Sequence, residues 1–247
     1  MRRLFCLIAL SGLMSACAPK AEFDQLAARV DALEKKVAEM ETKAAAKPAS
    51  NAAAAPVNTE AEQKAMDLYN EINKAVDAGD IDGAKATFAQ LQSDSGSTRV
   101  TMSRAPRLKE EMDVIGTSVT SPTVEKWFQG SSKDLDFSSG TTVVVFWEVW
   151  CPHCQREVPE MEATYQKFKG KVDFVGLTKI TKSATEEKVT EFLKEKGVTY
   201  PIAKETGDAS KLFAVTGIPA AAVVKDGKVV WRGHPGRLTE DMINSWI

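Results

Sequence analysis

Residues 143–159 read VVVFWEVWCPHCQREVP. A β-branched and aromatic run ends in two cysteines, Cys151 and Cys154, with only Pro152 and His153 between them. The longer segment 141–149, TTVVVFWEV, is apolar on successive residues, which predicts a strand buried on both faces. Helical spacing then runs from about 152 to 168. A buried strand passing directly into a helix, with paired thiols at the junction, points to an α/β architecture.

A dithiol at the start of a helix has definite chemistry. Residues at i and i+3 lie on one helix face, so Cys151 and Cys154 can bond to each other or trade a disulfide with a substrate. The unpaired N–H groups and partial positive charge of a helix N-terminus stabilise a thiolate at Cys151. Pro152 suits the first helical turn, where its missing N–H costs nothing. His153 offers a positive charge and a donor near the sulfur. Stabilising the thiolate stabilises the reduced state and makes the disulfide more oxidising. Cys151 is then the nucleophile and Cys154 the resolving thiol. Three other readings remain open: a structural disulfide, a metal site and a peroxidase. A bridge closing so small a loop removes little chain entropy. The chain has two histidines, His153 and His234, and no second cysteine pair, so a zinc site would lack ligands. No metal or cofactor is expected.

The other two cysteines lie at the N-terminus. MRRLFCLIALSGLMSAC has Arg2 and Arg3, then an apolar run, then small residues. That is an export signal, too short to span a bilayer. Leu13–Cys17 resembles a bacterial lipobox, which implies cleavage before Cys17 and lipidation of that cysteine. The alternative is an ordinary secretory signal with an incidental cysteine. Ala18 follows Cys17, without the Asp that retains lipoproteins at the inner membrane in enterobacteria; the outer membrane is favoured if the cell has two.

Downstream, Phe23, Leu26, Val30, Leu33, Val37 and Met40 recur at heptad a and d positions. Arg29 and Lys36 at g would face Glu34 and Glu41 at e of a partner helix. This pattern predicts a parallel homo-oligomer, a dimer or trimer. An amphipathic helix folded back on its own domain is the alternative. Residues 44–59 are Ala-rich with Pro48 and Pro56, and read as a linker. Residues 60–92 return to helical period around a GDIDG break at 79–83, predicting a helical hairpin. The stretch 93–106 reads as polar and irregular, followed by a short helix through Leu108, Met112 and Ile115.

From 117 onward strands and helices alternate. Strands are expected at 123–128, 141–149 and 171–177, then a hairpin, IPAAAVV and KVVWRG, across Lys225–Gly227. Helices are expected at 185–196, at 208–215 and around Leu238, Met242 and Trp246. This implies an α/β sandwich with a mixed sheet. A formal charge of −2 and the absence of a basic stripe argue against a nucleic-acid binder.

FWEVWCPHCQREVP resembles the active-site motif of thioredoxin-fold proteins, and the chain is most similar to the membrane-anchored TlpA/ResA-like thiol–disulfide oxidoreductases. Trp150 precedes the nucleophile as in that superfamily, and Pro159 falls at its helix-kinking proline. Gly217-Ile218-Pro219 resembles the turn in which a cis proline faces the cysteines, implying that Ile218 and Pro219 dock an incoming peptide. The segment 171–197 resembles the insertion of the TlpA/ResA-like group. Two departures stand out. Pro152-His153 is the dipeptide of the oxidase DsbA, and Val145 stands where thioredoxins keep a buried Asp. Glu148 is a substitute proton shuttle if its side chain turns inward; the alternative is a strand-end carboxylate in solvent or paired with a lysine. Trp147 and Phe146 are expected in the core, Trp150 exposed near the sulfur, and His234 in a surface loop.

The resulting expectation is an α/β thioredoxin-like fold, a mixed sheet flanked by helices, preceded by a helical hairpin and a coiled-coil stalk. The parts are a signal peptide (1–16), a lipidated cysteine and stalk (17–43), a linker (44–59), a helical hairpin region (60–116) and a thioredoxin-like domain (117–247). The expected activity is disulfide exchange with protein substrates in the cell envelope, facing the periplasm, with reductase or isomerase direction favoured. A membrane-linked electron donor or acceptor is the expected redox partner. A DsbA-like thiol oxidase and an oligomeric scaffold or redox-sensing lipoprotein are the alternatives.

Overall fold

The computed structural model describes residues 24–25, 28–36 and 59–247. The chain divides into two compact units, 1–57 and 58–247. In the first, residues 24–25 and 28–36 are helical and exposed, with Val30 and Leu33 at 48% and 61% exposure. The export signal, Cys17, the remaining heptad positions and most of the linker lie outside the described residues. No helix among the described residues is long and apolar enough to cross a membrane.

The second unit opens with three helices. Helix α1 (Thr59–Asp77) begins at the residue assigned to the end of the linker and buries Ala65, Leu68, Ile72 and Val76. Asp80 caps α2 (Ile81–Ser95) by accepting from Gly83 N at 2.9 Å. Helix α3 (Arg99–Val114) is longer than the short helix expected around Leu108. Its first turns fall in the stretch read as irregular because Pro106 lies inside it and its outer face is polar. Val100, Ala105, Leu108 and Met112 nevertheless keep helical spacing and are buried. Glu62 of α1 accepts from Arg99 N at 2.7 Å, satisfying one of the orphan donors of α3.

A six-stranded sheet follows, in the order β1-β4-β3-β2-β5-β6. The strands are β1 (Val124–Gln129), β2 (Thr141–Trp147), β3 (Asp173–Thr178), β4 (Ile202–Glu205), β5 (Ala220–Lys225) and β6 (Lys228–Gly233). The helices are α4 (Pro152–Phe168), α5 (Glu186–Lys196), α6 (Asp208–Leu212) and α7 (Glu240–Asn244). Strands β2, β3 and β4 are parallel; β1, β5 and β6 run antiparallel to their neighbours where they pair. Strand β4 was not expected, because four residues, Ile-Ala-Lys-Glu, carry no readable alternation. It joins β1 to the parallel core of the sheet.

Strand β2 is buried at every position. The period of two divides its side chains between two cores. Val143, Val145 and Trp147 belong to one continuous core that also includes residues of α4, α5 and the three N-terminal helices. Val144 and Phe146 pack with Phe213, Val175 and Ala209 on the other face. Gly176 on β3 permits this closeness: a Cβ there would lie 2.4 Å from Ile202 Cδ1. The β5–β6 hairpin turns on Asp226 and Gly227, both at positive φ, as a two-residue Asp-Gly turn requires.

The three helices are fastened to the sheet. Trp231 Nε1 on β6 donates to Asp77 Oδ1 of α1 at 2.9 Å. Arg237 donates to both oxygens of Asp77, at 2.6 and 3.1 Å, and also to Asn73 Oδ1.

Candidate active site

The geometry begins where β2 ends. Glu148, Val149 and Trp150 form the link, and Cys151 is the N-cap of α4 with Pro152 in its first turn. Cys151 Sγ accepts from Cys154 N at 3.4 Å, so the sulfur takes the place of a capping oxygen. Gln155 Nε2 donates to Val149 O at 2.7 Å and ties the link to the helix. Both cysteines are unbonded and buried, Cys151 at 5% exposure and Cys154 at 0%.

The turn before β5 meets the dithiol. Cys151 Sγ lies 3.9 Å from Ile218 O, and the Ile218–Pro219 peptide is cis. Beside them a cleft of about 400 Å³ is lined by Glu148, Trp150, Lys179, Glu205, Thr216 and Ile218, among others. Trp150 is half-buried rather than exposed; its Nε1 donates to Glu148 Oε2 at 2.6 Å and to Thr181 Oγ1 at 3.1 Å. Lys182 Nζ sits over the Trp150 ring, 3.1 Å from its centroid. The Glu148 carboxylate also accepts from the Thr181 hydroxyl. It is therefore held at the cleft by two donors, one residue beyond β2.

His153 is exposed and its Nδ1 lies 2.7 Å from Arg156 Nη2. A guanidinium can only donate, so Nδ1 is the acceptor in this contact. Val145 is buried on β2, as are Phe146 and Trp147. His234 is half-buried, not a free surface residue: its Nδ1 caps a short turn by accepting from Gly236 N at 3.1 Å. Burial holds its imidazole below the ordinary histidine range, against the opposing pull of Glu157.

Two carboxylates escaped the sequence reading. Glu205, at the end of β4, is buried and accepts from Ser210 N at 2.8 Å and from the Ser210 hydroxyl. Glu157 lies on α4 three residues after Cys154, and its Oε2 is buried without a hydrogen-bond partner. A glutamate one turn past the second cysteine was the available sign, through the i, i+3 rule. Among the described residues no group of three or more His, Cys, Asp and Glu side chains is gathered for a metal ion.

Burial pushes the Cys154 thiol well up, and the Cys151 sulfur and the Glu148 charge add to it, while a backbone hydrogen bond at Glu148 opposes them. In the unfolded chain this thiol ionises near pH 8.5; in the folded, reduced protein it keeps its proton. The native state then binds more protons above that pH, so stability falls as pH rises. The expected result is that reduced protein loses stability between pH 8.5 and 10 faster than a Cys154→Ala variant, by at most ~1.4 kcal/mol per pH unit. Denaturant unfolding of both across that range measures it. Parallel curves would refute the retained proton.

Comparison with known proteins follows the same lines. ResA of Bacillus cereus ATCC 10987, a thiol–disulfide oxidoreductase, is 28% identical over 157 residues, 62% of this chain and 88% of ResA. ResA of B. cereus ZK/E33L is 34% identical over 125 residues, 48% of this chain and 69% of its own length. The crystal structure of StoA from Bacillus subtilis aligns with a TM-score of 0.43 at 22% identity, covering 53% of this chain and 98% of StoA. Residues 119–244, just over half of the chain, match the Redoxin family model, and the protein belongs to that family as a ResA-like thiol–disulfide oxidoreductase of the thioredoxin fold.

Proposed function

We propose that Cys151-Pro152-His153-Cys154 is the redox centre and that its substrates are protein disulfides and thiols. The observation that supports this best is the position of Cys151 Sγ. It caps α4, 3.4 Å from Cys154 N, and faces Ile218 O at 3.9 Å. In the reductase direction the Cys151 thiolate attacks a substrate disulfide. The substrate S–S bond breaks, one substrate thiolate leaves, and a mixed disulfide forms at Cys151. Cys154 gives up its proton, attacks the Cys151 sulfur and releases the second substrate thiolate. Two electrons have then passed to the substrate, and the chain holds a Cys151–Cys154 disulfide. Glu148, whose charge acts on Cys154, is the proposed acceptor of its proton. Trp150, Pro152 and His153 tune the pair, and the backbone at Ile218 and Pro219 docks the substrate chain as a strand-like edge.

In this reading a lipid on Cys17 tethers the chain to the envelope, facing the periplasm, with the outer membrane favoured in a two-membrane cell. A membrane-linked donor returns the two electrons. The exposed Val30 and Leu33 pair with a second or third copy of the same helix. The Pro152-His153 dipeptide favours an oxidase as the second reading.

Three activity assays and a mass measurement on residues 18–247 test this. Dithiothreitol-driven insulin reduction and recovery of scrambled ribonuclease should both proceed, and sedimentation should give two or three chain masses. Oxidation of reduced ribonuclease without the other two activities would favour the oxidase reading. Inactivity in all three assays would leave a scaffold or sensor, and a monomer mass would refute the stalk.

A further inference from the structure

Arg232 is one of the largest fully buried side chains in the protein, at 0% exposure on β6. Its guanidinium donates to carbonyls on both sides of the turn that carries Ile218 and Pro219. Before the turn it reaches Phe213 O at 2.9 Å and Ala214 O at 3.4 Å. After the turn it reaches Ala221 O at 3.4 Å, and Gly233 O on its own strand at 3.0 Å. A buried cation also requires a compensating charge. That charge is Glu111, 6% exposed, on α3 of the N-terminal helices. Glu111 Oε1 lies 3.6 Å from Arg232 Nη1 and accepts from Arg107 Nε at 2.9 Å. Arg107 in turn packs on the turn itself: a Cβ added to Gly217 would lie 2.8 Å from Arg107 Nη1. Burial lowers the Arg232 guanidinium to about 10, which leaves it charged at neutral pH.

We propose that the N-terminal helices brace the docking turn. Glu111 neutralises Arg232, Arg232 clamps the two flanks of residues 213–221, and Arg107 presses on Gly217. Glu111, Arg107 and Arg232 are positioning residues, acting on substrate through the turn rather than on the sulfurs. This assigns the helices a task in substrate recognition, and it rests on the reading that the Ile218–Pro219 edge receives the substrate chain. A large substrate needs that edge in place; a small disulfide that meets only Cys151 does not.

The test compares two probes. Insulin, reduced at a fixed dithiothreitol concentration, reports docking. 5,5′-Dithiobis(2-nitrobenzoate), reacting with the reduced protein, reports the sulfurs alone. Glu111→Gln, which keeps the shape and removes the charge, should raise KM for insulin about tenfold while kcat and the small-disulfide rate stay within about twofold. Arg107→Gln, on a partly exposed side chain, should act in the same direction, and Arg107→Lys should recover part of the loss. Gly217→Ala, which pushes the guanidinium away from the opposite side, should also raise KM for insulin. If Glu111→Gln does not fold, the Arg107 and Gly217 variants decide the matter. Unchanged KM in both, or a small-disulfide rate that falls in parallel with insulin turnover, overturns the brace. Cys151→Ser separates this outcome from failure of the exchange reading: if that variant still reduces insulin, the exchange reading fails regardless of the brace.

Discussion

Serine at Cys151 is expected to abolish disulfide exchange, lowering kcat/KM for insulin by at least about 10³-fold, since removal of a nucleophile has effects of that order or more. The argument is geometric. Cys151 Sγ is the sulfur that meets Ile218 O, at 3.9 Å, and keeps 5% exposure, while Cys154 on α4 is wholly buried. A serine hydroxyl caps the helix as well as or better than a thiol, so the fold should be kept while the chemistry is lost. The complementary variant, Cys154→Ala, should still attack but fail to resolve, and should accumulate mixed disulfides with substrate. Non-reducing electrophoresis of that variant after exposure to oxidised insulin would show them, and dithiothreitol would release them. Insulin reduction by Cys151→Ser at a rate near that of the parent chain would sink the assignment.

Trp231→Ala should give a large loss of stability. The indole is fully buried, its Nε1 donates to Asp77 at 2.9 Å, and Gly233 packs so close that a Cβ there would lie 2.7 Å from the ring. Truncating a buried tryptophan costs about 3–5 kcal/mol. The site joins β6 to the C-terminal end of α1, so the loss should also loosen the helices from the sheet. Guanidinium unfolding should show a lower midpoint. Trp231→Phe retains most of the packing and loses the hydrogen bond, so it should cost about 1 kcal/mol. Equal losses for the two variants would show that the indole N–H, not the ring, holds the junction.

Most of the strand and helix elements were readable because each carries a local signal. The apolar run of β2, Pro152 at the head of α4 and Asp226-Gly227 between β5 and β6 are statements about a few backbone positions. Strand β4 and the first turns of α3 were not readable. Strand β4 is held by pairing with β1 and β3, while α3 starts at a Thr98 cap and is further held by Glu62, which accepts from its first N–H. The candidate site shows the same division. The i, i+3 spacing alone puts Cys151 and Cys154 on one helix face, while their meeting with Ile218 requires β2 and β5 to be antiparallel neighbours.

By itself, then, the sequence determined the α/β class, the dithiol at the strand–helix junction and the chemistry open to it. It carried these because thiol spacing, helix capping and strand period act over a few residues. Only the tertiary structure decided how Glu148 is held, that Glu157 has an unpartnered buried oxygen, and that Arg232 joins the docking turn to Glu111 on α3. Those outcomes depend on which side chains lose water together when distant segments pack. A charge such as that of Arg232 shows its partner only once burial has removed every alternative.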